Sequence, residues 1–275
     1  MKKFIIQTSL YLLVFAVALH GVAYYMLFTK VYQTHVLGNE IYYAIAKSKK
    51  KNKSKKLVMG DSVAQQLFDN KTTSDTLNSI ACNQSISLAG QFVLLNNYLL
   101  AGNRPDSVFF ISTPFSFQNN LDQIFTFQYF LKPFYTDEYK PYFSDLVKSK
   151  IKLIPHNNLA QYPLIRTTNW APEFEEKEDT TYNFLSPISV EYLLKIKALA
   201  AQYRFKLVFI PTPTPESRRK EVEALNKNEY IKNGLDAEFA DFFTRIQFID
   251  DKYFIDRIHL KDPAAYARYF AEKYF

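Results

Sequence analysis

A chain of 275 residues, 48% hydrophobic and 17% aromatic, has enough apolar material for one large packed domain and is too apolar to be disordered. Its net charge of +7 is unevenly spread: residues 1–56 hold ten lysines against one acid, Glu40, a net of +9, which leaves the remainder at −2. A nucleic-acid-binding domain needs its basic surface on the folded part, so this distribution argues against nucleic acid as a partner. The one cysteine, Cys82, cannot close an intramolecular disulfide. His20, His35, His156 and His259 are scattered without ligand spacing, so neither a metal nor a cofactor is expected.

Residues 4–28 form an uncharged run long enough to cross a bilayer as a helix. Lys2 and Lys3 precede it, Lys30 closes it, and Tyr24, Tyr25 and Tyr32 suit an interfacial belt. The competing reading is a cleavable signal peptide, because Ala16-Val17-Ala18 matches a small-x-small cleavage site. The apolar run continues past Ala18 further than a cleaved signal needs, so residues 1–30 are expected to be an uncleaved anchor in a lipid bilayer. Residues 31–56 then read as a juxtamembrane segment and linker, with seven lysines between Lys47 and Lys56. The short lysine-tipped start favours a cytoplasmic N-terminus and an extracytoplasmic domain, periplasmic or on the cell surface. The lysine run is the feature that argues for the opposite face, and protease accessibility would decide.

From residue 57 onwards, apolar β-rich runs alternate with helical patterns, which is the signature of a parallel sheet with crossover helices. Strands are expected at 57–59, 85–88, 108–111, 207–210 and 246–249, and helices at 63–68, 92–100, 190–203 and 263–274. Residues 114–187 form a long insertion rich in Phe, Tyr and Pro, with Trp170 near its end. A structureless loop of that length would be unusual, so a helical or mixed cap is expected. A shorter insertion at 211–236 carries Pro211, Pro213, Pro215 and the triplet Arg218-Arg219-Lys220.

Ligands of an open parallel sheet bind outside the carboxyl ends of its strands, and Gly60-Asp61-Ser62 falls at such an end. Gly60 permits a tight turn, Asp61 suits a helix cap, and Ser62 opens the helix. A serine becomes a nucleophile only when a base reaches it. Near the far end of the chain, Asp256-Arg257-Ile258-His259-Leu260 offers a histidine with a carboxylate three residues before it. That carboxylate can hold the imidazole in the needed tautomer. Gly90, just past the second expected strand, could aim a backbone N–H at an oxyanion.

Taken together, these pieces resemble the SGNH/GDSL hydrolases: Gly60-Asp61-Ser62 is similar to their first block, Gly90 to their second and Asp256-x-x-His259 to their last. The resemblance implies a three-layer, flavodoxin-like α/β fold of about five parallel strands over residues 57–275. It also implies Ser62 as nucleophile, His259 as general base, Asp256 as orienting carboxylate, and the N–H groups of Ser62 and Gly90 as oxyanion donors. The family usually carries an asparagine just after strand three. In the family that asparagine is a side-chain oxyanion donor. Here the stretch reads Ile111-Ser112-Thr113-Pro114 and the first asparagines are Asn119 and Asn120, so either Asn119, Asn120 or a hydroxyl takes its place, or the chain is slow on simple esters or is no esterase. The anchor and the divergent third block further resemble the membrane-anchored cell-envelope members that move acyl groups on surface polymers. That implies an acylated surface glycan or a small ester as substrate, and a multi-pass membrane acyltransferase as a partner. The alternative of another class is a catalytically weak anchored domain that binds glycan or scaffolds such an acyltransferase.

Overall fold

A computed structural model describes residues 1–27, 29, 37–71, 75–174 and 184–275. Phe28, Lys30, Tyr32 and His35, which enter the membrane-span reading or the histidine census, lie outside the described residues. Helix α1, Lys2–Leu27, is long and apolar enough to cross a membrane, and a signal sequence at this position would meet the same criterion.

The segment read as a linker is partly built into the domain. Helix α2, Asn39–Ser48, buries Ile41 and Ala44 completely in the main core. The lysine run follows it and is tied down. Lys49 pairs with Glu138 at 2.7 Å, and the Asn103 amide donates to Lys50 O while its oxygen accepts from Asn52 N. The packed unit therefore begins upstream of residue 57.

The sheet has four parallel strands in the order β2-β1-β3-β4: β1 Lys56–Gly60, β2 Leu77–Ser79, β3 Ser107–Ser112 and β4 Lys206–Pro211. Side chains alternate across a strand, and both faces are covered here. Leu57, Met59, Val108, Phe110 and Phe209 point into one cluster. It includes α2, helix α4 (Ser87–Leu100) and helix α7 (Pro187–Tyr203). Val58, Phe109, Ile111 and Ile210 point into the other, with helix α3 (Ser62–Leu67) and helix α8 (Pro263–Tyr274).

Two expected strands are corrected. Residues 85–88 are not a strand. They span a 3-10 turn, Gln84–Ile86, whose Ser85 N–H is capped by the Asn83 side chain, and the first residues of α4. The alternation Ser-Ile-Ser-Leu imitates a strand, whereas the real β2 is the unremarkable Leu77-Asn78-Ser79. Residues 246–249 do not extend the sheet either. Of these residues Phe248–Ile249 (β6) forms a strand, and it pairs with Thr214–Pro215 (β5) outside the main sheet. Pro211 ends β4 and Pro213 stands in the two-residue break before β5, so the ladder donors are interrupted between the main sheet and the short β5–β6 pair.

The long insertion contains short helical pieces, among them α5, Asp145–Leu153, and α6, Pro163–Arg166, and no strand among its described residues. Phe117, Phe127, Phe130, Phe134, Phe143 and Phe184 are buried in the same cluster as the sheet, so this segment packs as part of the core.

Candidate active site

The site begins with a backbone constraint. At the end of β1, Gly60 has φ +139°, and a Cβ there would overlap the Ile111 carbonyl oxygen, so only glycine lets β1 pass β3 this closely. Asp61 follows and is 2% exposed. Its Oδ1 accepts from the N–H groups of Val63 and Ala64 at 3.0 and 3.2 Å, capping α3. Its Oδ2 accepts from Thr113 N at 2.7 Å and from Ser116 Oγ at 2.5 Å. One carboxylate thus clamps the turn after β1 to the turn after β3.

Ser62 is the first residue of α3 and is half-buried. The Asp61 cap serves the next two N–H groups, so the Ser62 N–H has no acceptor among the described residues. Its Oγ lies 2.9 Å from His259 Nε2. His259 Nδ1 lies 2.8 Å from Asp256 Oδ2, and Asp256 Oδ1 accepts from the backbone N–H groups of Ile258 and His259 at 2.7 Å each. Burial pushes the Asp256 carboxyl up, but the His259 ring and these two N–H donors outweigh it and hold the group below its ordinary value. An ionised Asp256 can only accept, so the ring proton belongs on Nδ1. Neutral His259 then presents a lone pair at Nε2 to the serine hydroxyl.

The loop carrying Asp256 and His259 is closed at its base. Phe254 and Leu260 form an antiparallel bridge, Ile255 N donates to His259 O at 2.8 Å, and Lys261 N donates to Tyr253 O at 2.9 Å. Gln66 ties this loop to the serine helix by accepting from Leu260 N at 3.2 Å. Sequence reasoning missed Gln66, although its place four residues after Ser62 puts it on the same helix face. It also missed Gln91, whose amide donates to Gly60 O at 2.7 Å, and Ser116 on the Asp61 clamp.

Two sequence candidates are placed elsewhere. Gly90 is not a loop residue past a strand. It is the fourth residue of α4, the first position whose N–H has an acceptor within the helix, and a Cβ there would press on the Ile86 side chain. Asn119 is 1% exposed and its amide is committed: Nδ2 donates to Gln84 O at 2.8 Å, and Oδ1 accepts from Leu121 N at 2.8 Å. Cys82 is fully buried, and burial pushes its thiol up, away from reactivity. Among the described residues, no group of three or more His, Cys, Asp and Glu side chains gathers where it could hold a metal.

Beside the histidine loop, Thr113, Phe115, Pro213, Arg218, Arg257 and Ile258 border a small pocket. The Arg218 guanidinium lies 3.5 Å over the Phe115 ring, and Glu221 bridges Arg218 (2.9 Å) and Arg257 (2.6 Å). The arrangement as a whole can relay a proton from Ser62 through His259, next to an unused backbone N–H. Those are the elements of nucleophilic acyl transfer.

No family model and no curated protein matches the chain. A solved structure of a Streptococcus pneumonia protein, provisionally described as a platelet activating factor, is similar over 94% of this chain and 99% of that one. The identity is 14% and the TM-score 0.37.

Proposed function

We propose that this chain is a membrane-anchored, SGNH-like serine esterase or O-acyltransferase acting on acyl esters of a cell-surface glycan. The observation that carries the reading is the unbroken relay from Asp256 Oδ2 to His259 Nδ1 (2.8 Å) and from His259 Nε2 to Ser62 Oγ (2.9 Å). In this reading Ser62 Oγ attacks the acyl carbonyl as its proton passes to Nε2, and Asp256 supports the imidazolium. The tetrahedral oxyanion takes a hydrogen bond from the Ser62 N–H. Collapse expels the alkoxide, which recovers the proton from Nε2 and leaves an acyl ester on Ser62. Water or a sugar hydroxyl, deprotonated by His259, then releases the acyl group and restores the serine. Anchoring by α1 with the domain outside the cytoplasm would bring it to envelope polymers and to a multi-pass acyltransferase.

The test is covalent labelling of the purified full chain with a fluorophosphonate probe. Wild type labels, and Ser62→Ala and His259→Ala do not. Absence of labelling in a folded wild-type chain overturns the reading. A second reading, a catalytically weak domain that binds glycan or scaffolds an acyltransferase, is favoured by one set of observations. Gly90 lies within α4 and the Asn119 amide is committed elsewhere, so of the donors Ser62, Gly90 and Asn119 the Ser62 N–H is the one without an acceptor among the described residues. Loss of one such donor costs about a hundred- to thousandfold in rate.

A further inference from the structure

We propose that the face of the domain around the exit of α1 is a membrane-docking shelf, on which Leu37, Ile124, Phe125, Tyr162 and Trp170 rest in the interfacial layer of the bilayer. The inference goes beyond the chemistry of the site and rests on the reading of α1 as an uncleaved span.

The domain sits directly on the exit of that helix. Ala23 is the one buried residue of α1, and Leu27, at its end, packs on Tyr42 of α2. Helix α6 contacts α1 as well. A surface held this close to an embedded helix has the bilayer as its nearest neighbour.

The five side chains are between 44% and 53% exposed, and contacts gather them around this exit. Leu37 N donates to Asn169 Oδ1 at 2.8 Å, next to Trp170, and Leu37 O accepts from the Gln128 amide at 3.0 Å. Phe125 stacks on Tyr129 with centroids 5.4 Å apart, and the Tyr129 ring borders Gly38 so closely that a Cβ there would meet it at 2.8 Å. Tyr162 is the cap residue of α6. Leu100, Leu194 and Ile231 stand singly on different helices, which is ordinary surface, while Tyr253 and Ile255 are exposed on the loop that carries His259.

Trp170 is also braced. Lys132 is fully buried and donates to Gln128 Oε1 (2.5 Å), Thr168 O (2.8 Å) and Trp170 O (2.7 Å), and the Phe127 ring meets the indole edge-on at 5.7 Å. A half-exposed indole on a pinned segment, amid exposed Leu, Ile, Phe and Tyr beside a membrane helix, has the chemistry of an interfacial anchor. Its apolar body enters the acyl boundary while its N–H meets head groups.

Trp170 is the chain's single tryptophan, so it reports on itself. The full chain is reconstituted into nanodiscs of phosphatidylcholine, plain or brominated either near the head-group end or near the methyl end of the acyl chain. The expected result is a blue-shifted Trp170 emission relative to detergent, with loss of emission greater for head-group-end bromine. The double variant Leu37→Asp, Phe125→Asp, at two exposed positions, reduces that loss while keeping the unfolding midpoint in detergent. Emission indifferent to bromine, in a chain whose mass shows α1 retained and embedded, overturns the shelf alone. A mass lacking α1 overturns the shelf together with the anchor reading. An emission shift that instead follows protein concentration in detergent assigns the face to a second copy of the chain and overturns the lipid proposal.

Discussion

Replacing Asp61 tests whether the turn presenting Ser62 is held by one carboxylate. The group is 2% exposed and accepts from four donors: Val63 N, Ala64 N, Thr113 N and Ser116 Oγ. Asp61→Ala removes a helix cap, worth about 1 kcal/mol, leaves the Thr113 N–H without its charged acceptor and leaves the Ser116 hydroxyl its longer bond to Gln84 Oε1 at 3.2 Å, at about 1.5–3 kcal/mol each. Such terms are coupled, so the expected loss is about 3–5 kcal/mol rather than their sum. Asp61→Asn can keep the cap with its remaining oxygen and its NH2 can donate to Ser116 Oγ, whose hydroxyl turns to Gln84 Oε1, but that NH2 opposes Thr113 N, so about half that loss is expected. At about 2–4 °C per kcal/mol for a domain of this size, the alanine variant should melt about 6–20 °C below wild type. The assay is thermal unfolding by circular dichroism in detergent, paired with fluorophosphonate labelling below the transition. Asp61→Asn should remain folded and label more slowly. An alanine variant within about 2 °C of wild type would refute the clamp, because that shift corresponds to less than about 1 kcal/mol.

Gln66→Leu keeps the volume of the side chain and removes the acceptor for Leu260 N, so stability should fall by only about 0.5–1.5 kcal/mol. Labelling of Ser62 should fall more than stability does, because the loop bearing His259 loses its tie to α3; unchanged labelling would show that the tie does not position the base. Lys132 offers a pH test, since burial pushes its ammonium down to about 8 from 10.5. Between those values the unfolded chain binds more protons than the folded one, so wild-type stability should gain on Lys132→Met as pH rises through that window. Parallel stability curves for the two proteins would count against it.

Much of the scaffold was legible because its signals are local. The cores of β1, β3 and β4 are short apolar runs ending in turn residues, and α8 opens with Pro263 behind its cap, Asp262. Ser62, Asp256 and His259 could be named together because a serine at a strand end and a histidine with a carboxylate three residues earlier are both local patterns. The places where reading failed are tertiary. Nothing in Leu77-Asn78-Ser79 marks a sheet edge, and nothing in Ser85-Ile86-Ser87-Leu88 warns that Asn83 will cap a 3-10 turn there. The commitment of the Asn119 amide to Gln84 O joins residues 35 positions apart. The four partners of Asp61 come from two turns, one of them reached only after β3 has formed beside β1. Such pairings depend on the folded arrangement and leave no periodicity in the chain.

The bond between Ser62 and His259 joins residues 197 positions apart. During synthesis the serine helix leaves the ribosome long before the histidine loop exists, and β1, β3 and β4 can pair while Ser62 is still an ordinary alcohol. On the proposed chemistry, reactivity would switch on only when the loop bridged by Phe254 and Leu260 closes over α3. On the proposed topology, a chain crossing the membrane in an extended state would carry no activated nucleophile during transit. Truncation anywhere before residue 259 would leave an inert remnant.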